Sequence, residues 1–158
     1  MYVVAPPHLA GVFEERARLA ESKREAYAWL VANAAPGEPA IAYEDAALYL
    51  ATGRPAIRPL SISTESFFRQ SEGPLERDLA GIADTAAAVG ARFWLVAPDD
   101  YELEHAPERV RARIAETLDG VPLAFESADG RVRVYELAGP AWAAATLRAS
   151  GVRYEAAK

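Results

Sequence analysis

Apolar residues recur at helical spacing over residues 8–34, where Leu9, Val12, Phe13, Ala20, Tyr27, Leu30 and Val31 fall on one stripe. Glu14, Glu15, Arg18, Glu21, Arg24 and Glu25 occupy the other face, and Pro36-Gly37 ends the pattern. The pattern then changes to a short apolar run, Ala40-Ile41-Ala42-Tyr43, which predicts a first strand. Glu44-Asp45 can cap a helix through Tyr49 and Leu50 that closes at Gly53. The run 55–59 carries Pro55 and Pro59, each without an N–H, and so predicts a brief strand at a sheet edge.

The segment from Ser61 to Gln70 is ambiguous, with Ser63 or Thr64 able to cap a turn carrying Phe67 and Phe68. After Gly73-Pro74, the positions Leu75, Leu79, Ile82, Ala86 and Val89 form one helical stripe that Gly90 closes. Phe93-Trp94-Leu95-Val96-Ala97 is apolar without alternation. Both of its faces must therefore be covered, which makes it the expected central parallel strand. A helix is predicted from Pro107 to Leu118, with Val110 and Ile114 inward. Val121–Ser127 and Val132–Leu137 flank Ala128-Asp129-Gly130, a hairpin signal, and the broken alternation near Tyr135 allows a bulge there. Pro140 opens a short last helix over Trp142 and Leu147, and the chain from Gly151 reads as a loose tail.

These elements predict one α/β domain over residues 1–158, with loose ends at 1–7 and 151–158. Its sheet is short and mostly parallel, flanked by helices in two or three layers, and finished by a C-terminal antiparallel hairpin. Strands near 40–43, 56–60, 92–97, 121–126 and 132–137 should share that sheet, with 92–97 at its centre.

Composition narrows the function. The chain has 158 residues and a formal net charge of −6. Such a balance argues against nucleic acid and anionic membrane surfaces as partners. The absence of cysteine removes disulfides, a thiolate nucleophile and Cys-based metal sites. The two histidines, His8 and His105, have neither a His nor an acid at metal-site spacing and read as plain surface residues. No stretch reaches the roughly 18–20 apolar residues of a membrane helix. Met1–Pro7 lacks the basic start and apolar segment of a signal peptide.

Candidate chemistry gathers at strand ends. Glu44-Asp45 and Asp99-Asp100 each follow a predicted parallel strand. Ligands of open α/β sheets bind beyond such carboxyl ends. If strands one and three are neighbours, four carboxylates could converge there to bind Mg²⁺ or do acid–base work, although acids in these positions more commonly cap helices and fill turns. Thr52-Gly53-Arg54 can form an anion-binding turn with Arg58, or simply a glycine helix end followed by an arginine. The candidate ligand-binding residues are therefore Glu44, Asp45, Arg54, Asp99 and Asp100. No catalytic residue, metal ion or cofactor is assigned, because no glycine-rich phosphate loop occurs. Nor does a nucleophile elbow surround Ser61, Ser63, Thr64 or Ser66. Of the tryptophans, Trp94 is expected in the core, and Trp29 is the better candidate for a contact residue.

Three stretches carry a family resemblance: residues 27–37 with Trp29, Asn33 and Pro36; Ile41-Ala-Tyr-Glu-Asp45; and Tyr49-Leu-Ala-Thr-Gly-Arg54. Together with Phe93–Val96, Asp99-Asp100-Tyr101 and the closing hairpin, they resemble one region of bacterial polytopic glycosyltransferases. The type is the dolichyl-phosphate-mannose protein mannosyltransferases, and the region follows their last membrane span. The resemblance covers residues 20–138. It implies a non-catalytic, extracytoplasmic accessory domain at the bacterial inner membrane. Its partners would be the membrane-spanning part of the same protein and a lipid-linked sugar or acceptor. The catalytic acid of that family lies between early membrane spans, so no catalytic residue is carried over. The alternative is a free-standing small-molecule-binding or enzymatic α/β domain with an acidic strand-end cleft, which would be cytoplasmic.

Overall fold

The computed structural model describes residues 7–60, 73–102, 106–138 and 142. The serine cluster of 61–66, His105 and the tail from Gly151 lie outside the described residues. The elements run α1 (Pro7–Asn33), β1 (Ala40–Ala42), α2 (Asp45–Thr52), β2 (Ala56–Ile57), α3 (Gly73–Ala80) and α4 (Ile82–Val89). They continue with β3 (Phe93–Val96), α5 (Pro107–Thr117), β4 (Leu123–Glu126) and β5 (Arg133–Glu136).

The strands form one five-stranded sheet in the order β2-β1-β3-β5-β4. β2, β1 and β3 are parallel, whereas β5 runs antiparallel to β3 and β4 antiparallel to β5. The apolar run of β3 takes the central position, and the proline-flanked β2 takes an edge, where its missing N–H groups cost nothing. The period of two divides the side chains into two cores. Ala40, Ala42, Phe93, Leu95 and Val134 pack with Ala26 and Leu30 of α1 and Leu48 of α2. Ile41 and Trp94 pack on the opposite face with Leu79, Ile82, Ala86, Val110 and Ile114 of α3, α4 and α5. The architecture is thus three layers, α/β/α.

Several local features follow from residue chemistry. Gly53 and Gly90 take left-handed conformations (φ 68° and 71°) and end α2 and α4, as their positions predict. The stripe from Leu75 to Val89 spans two helices instead of one, interrupted at Gly81. The helical bond pattern nevertheless continues through Gly81 N–H to Arg77 O at 3.0 Å and Thr85 N–H to Gly81 O at 3.0 Å. The irregularity expected near Tyr135 lies on the opposite strand. Leu123 pairs with Tyr135 and Phe125 with Val134, so Ala124 is the extra residue. Ala124 and Phe125 consequently both pack on the α1 side.

The stripe drawn along α1 needs correction. Val12 and Phe13 are exposed, and so is Val31. The buried row is Ser22, Ala26 and Leu30, with Lys23 beside it. The reason is length. A 27-residue helix is about 40 Å long, whereas a four-residue strand covers about 13 Å. Only the second half of α1 can lie on so short a sheet. Trp29, the candidate contact residue, packs edge-on against Phe93 (centroids 5.2 Å apart, 81°) and stacks on Phe125 (5.7 Å, 30°). It therefore belongs to the packing between α1 and the sheet.

Burial separates two aliphatic residues of similar size. Ile41→Ala should lower the unfolding free energy by about 2–5 kcal/mol, because it opens a cavity under a fully buried side chain. Leu50→Ala, at a side chain 83% exposed, should stay within about 0.5 kcal/mol of the unaltered chain. Urea denaturation of both variants measures the contrast.

Candidate functional site

The chain leaves β1 through α2 on one face of the sheet and returns to β3 through α3 and α4 on the other. The carboxyl ends of β1 and β3 therefore flank the point where the winding reverses, the usual crevice of an open α/β sheet. Glu44 sits just beyond β1 and Asp99 just beyond β3, and the fold does bring these two acids together.

What joins them is Lys23, which the sequence reading did not single out. Its Nζ donates to Glu44 Oε2 at 2.6 Å and to Asp99 Oδ2 at 2.8 Å. Lys23 reaches this point from the buried side of α1, and only 8% of the residue is exposed. Burial alone would push its ammonium pKa down. The hydrogen bonds and charges of Asp99 and Glu44 outweigh that, so the pKa stands above its ordinary value. A signal was present in the sequence: one of only two lysines, in line with Tyr27 and Leu30 at helical spacing.

The other three candidates point elsewhere. Asp45 begins α2 and accepts from Arg58 Nε at 3.1 Å, while the Arg58 guanidinium lies 5.2 Å from the centre of the Tyr43 ring. Asp100 turns inward. Its Oδ2 accepts the Ala97 N–H at 2.8 Å, which closes the turn after β3. Burial pushes the Asp100 carboxyl up to about 7, opposed by the Ala97 N–H and the Lys23 charge and assisted by Asp99 and Glu44. Arg54 is buried and faces away from the crevice. Its guanidinium donates to Val31 O at 3.1 Å, to Ala34 O at 2.9 Å and to Ala35 O. These carbonyls lie at and just past the end of α1, which carries partial negative charge, and Ala35 O also accepts the Glu38 N–H at 3.0 Å.

The Thr52-Gly53-Arg54 motif thus has a structural explanation in full. Gly53 ends α2 in the left-handed region. Thr52 Oγ1 donates to Leu48 O at 2.7 Å and accepts the Arg54 N–H at 3.1 Å. Arg54 then closes the end of α1. Glu44 occupies the N-cap position of α2, but its side chain makes no capping bond there, because Lys23 holds it. The arrangement is a charge cluster in which one cation lies between two anions, and the second oxygen of Asp99, Oδ1, is buried without a hydrogen-bond partner. Among the described residues, no group of three or more His, Cys, Asp and Glu side chains is placed to hold a metal ion.

Two consequences can be measured. Lys23→Met leaves Glu44 and Asp99 as uncompensated neighbours. It should cost about 1–3 kcal/mol at neutral pH, less than a fully buried pair because Glu44 remains solvated. The same change should raise the Asp100 pKa further above about 7, since Lys23 holds it down. Carboxyl ¹³C titration by NMR reads that shift.

Asp100 itself takes stability away as the pH rises. Its folded pKa of about 7 lies above the ordinary 3.8, so its contribution is fully present below about 3.8 and is lost up to about 7. Asp100→Asn keeps an oxygen to accept the Ala97 N–H and removes the titration. From pH 4 to pH 7 the variant should therefore gain about 2–4 kcal/mol relative to the unaltered chain. Urea midpoints across that range test it.

Comparison with protein-family models, with curated proteins and with solved structures finds no match to this chain.

Proposed function

We propose that this chain is a non-catalytic accessory domain of a membrane-bound glycosyltransferase that uses a lipid-phosphate sugar. It would stand at the extracytoplasmic face of a bacterial inner membrane. The observation that carries the reading is the pairing of Glu44 and Asp99, at the strand-end crevice, with the one ammonium of Lys23. An α/β enzyme keeps its reactive groups at that crevice. Here Glu44 and Asp99 share the Lys23 ammonium in internal ion pairs. The sequence resemblance supports this parent family and implies that the chemistry lies in membrane spans outside residues 1–158. The form of α1 agrees with such a role: residues 11–18 are all exposed and extend off the sheet, with apolar Val12 and Phe13 among them. The partner that fits this stretch is the membrane-spanning part of the same protein.

A second reading, an enzyme in its own right, is favoured by Asp100. A carboxyl with a pKa of about 7 can serve as a general acid at neutral pH. Its 1% exposure and its bond to the Ala97 N–H direct it into the turn instead of toward a substrate.

Two measurements decide between these readings. In the native genome, the reading frame should continue upstream of Met1 into apolar spans of about 20 residues each. The purified chain should show no turnover of activated aryl glycosides or lipid-phosphate sugars. Turnover that disappears in Asp100→Asn or Asp99→Asn would overturn the accessory reading, and so would a frame that begins at Met1.

A further inference from the structure

Beside the end of β3 lies a cleft of about 340 Å³, bounded by β3, by α5 and by the hairpin. Val96, Tyr101, Ile114, Leu118 and Tyr135 give it apolar and aromatic walls. Arg111, Arg131 and Arg133 also line it. The volume falls within the range of ligand pockets, about 300–1,000 Å³.

The arginines do not make this a site for a charged ligand, because their charge is already answered. Arg111 pairs with Glu108, Arg131 with Glu15 and Asp129, and Arg133 with Glu126, so four acids stand against three guanidiniums. The Arg131 guanidinium reaches Glu15 of α1, the helix that covers the other face of the sheet, and its charge is thereby directed away from the cleft. Arg111 is held further by Pro98 O at 3.1 Å and by Asp100 O at 3.0 Å. An anion entering the cleft would have to displace an acid already in place, and a cation would meet the arginines. An uncharged molecule does neither. It displaces water from apolar walls and leaves every ion pair intact.

Size and wall chemistry narrow the class further. A closed apolar cavity of about 150 Å³ holds one benzene ring. This cleft has about twice that volume, which is the space of two fused rings. Tyrosine rings pack favourably on aromatic faces, and so do planar guanidiniums whose edges are held by carboxylates. We propose that this cleft binds an uncharged, fused two-ring aromatic molecule, packed on Val96, Ile114, Leu118 and Tyr135. The site uses none of Lys23, Glu44 and Asp99, and it does not depend on the accessory-domain reading.

Indole is the probe, titrated into the ¹⁵N-labelled full chain and followed by NMR. Saturable shifts should centre on the amides of Ala97, Ile114, Ala115 and Tyr135, with a dissociation constant of about 0.1–1 mM. Benzene, which fills half the space, should bind about tenfold more weakly or worse, and so should the charged analogues indole-3-acetate and tryptamine. Ala115 lines the cleft from an exposed position of α5, so Ala115→Phe should block the site without disturbing the core and weaken indole by about tenfold or more. Ala112→Phe, at an exposed position of the same helix outside the lining, should leave the affinity unchanged. Amide spectra of both variants away from α5 confirm that they fold. The proposal fails if the indole shifts do not saturate or map elsewhere. It fails equally if benzene or either charged analogue binds as tightly as indole, or if a folded Ala115→Phe variant binds unchanged.

Discussion

The structure depends on keeping β3 dry on both faces. This strand is four residues long, and its side chains alternate between two cores: Phe93 and Leu95 toward α1 and α2, Trp94 toward α3, α4 and α5. Trp94 has no exposed surface, and it meets Trp142 edge-on with centroids 6.5 Å apart. A strand this short offers few ladder hydrogen bonds, so most of its stability comes from what covers it. The order of the sheet follows from that demand. The parallel strands β1 and β2 shield one edge of β3, and the hairpin shields the other. The hairpin reaches its place through a bulge at Ala124 that turns two consecutive side chains onto one core.

Covering the sheet with a long helix creates an electrostatic problem at each end of the contact, and two cations resolve it. At the end of α1, carbonyls come to lie against the segment before β2, and Arg54 donates to three of them, of which Ala35 O also accepts the Glu38 N–H. Near the middle of α1, the helix crosses the carboxyl ends of β1 and β3, and Lys23 meets Glu44 and Asp99 there. The two basic side chains differ in a way their tasks explain. The planar guanidinium spans several carbonyls at once, and the ammonium acts as a compact charge between two carboxylates. Both residues are largely withdrawn from water, so each charge contributes only because its partners are in place. The hairpin turn is tied to α1 by further polar contacts, among them Ser22 Oγ to Asp129 Oδ2 at 2.8 Å and the Ala128 N–H to Glu25 Oε2 at 2.9 Å.

One loop, residues 97–101, is held by contacts from several elements. It points Asp99 at Lys23, folds Asp100 back on the Ala97 N–H, and buries Tyr101 against Tyr43 with ring centroids 4.5 Å apart. Tyr101 sits at φ 68°, a left-handed conformation uncommon for a residue with a side chain. Its complete burial holds it there. Arg111 grips the same loop from outside through two of its carbonyls.

The sequence by itself determined whatever depends on local periodicity and backbone chemistry. The uninterrupted apolar run at 93–97 required a strand covered on both faces. The prolines at 55 and 59 required an edge, and Gly53, Gly90 and Asp129-Gly130 marked where the chain turns. Local pattern also placed Glu44 and Asp99 just beyond the carboxyl ends of two strands, but only the sheet order made β1 and β3 neighbours. Tertiary structure decided which of the four acids meet, and with what. Lys23 is 21 residues from Glu44 and 76 from Asp99, and the angle at which α1 crosses the sheet sets that meeting. The same holds for Arg54, whose anion-turn reading gave way to a helix end contributed by residues 19–23 positions earlier. The buried length of α1 was decided the same way. Its apolar spacing runs from Leu9 to Val31, but the width of a three- to four-residue sheet, a property of no single segment, determines where that stripe finds something to cover.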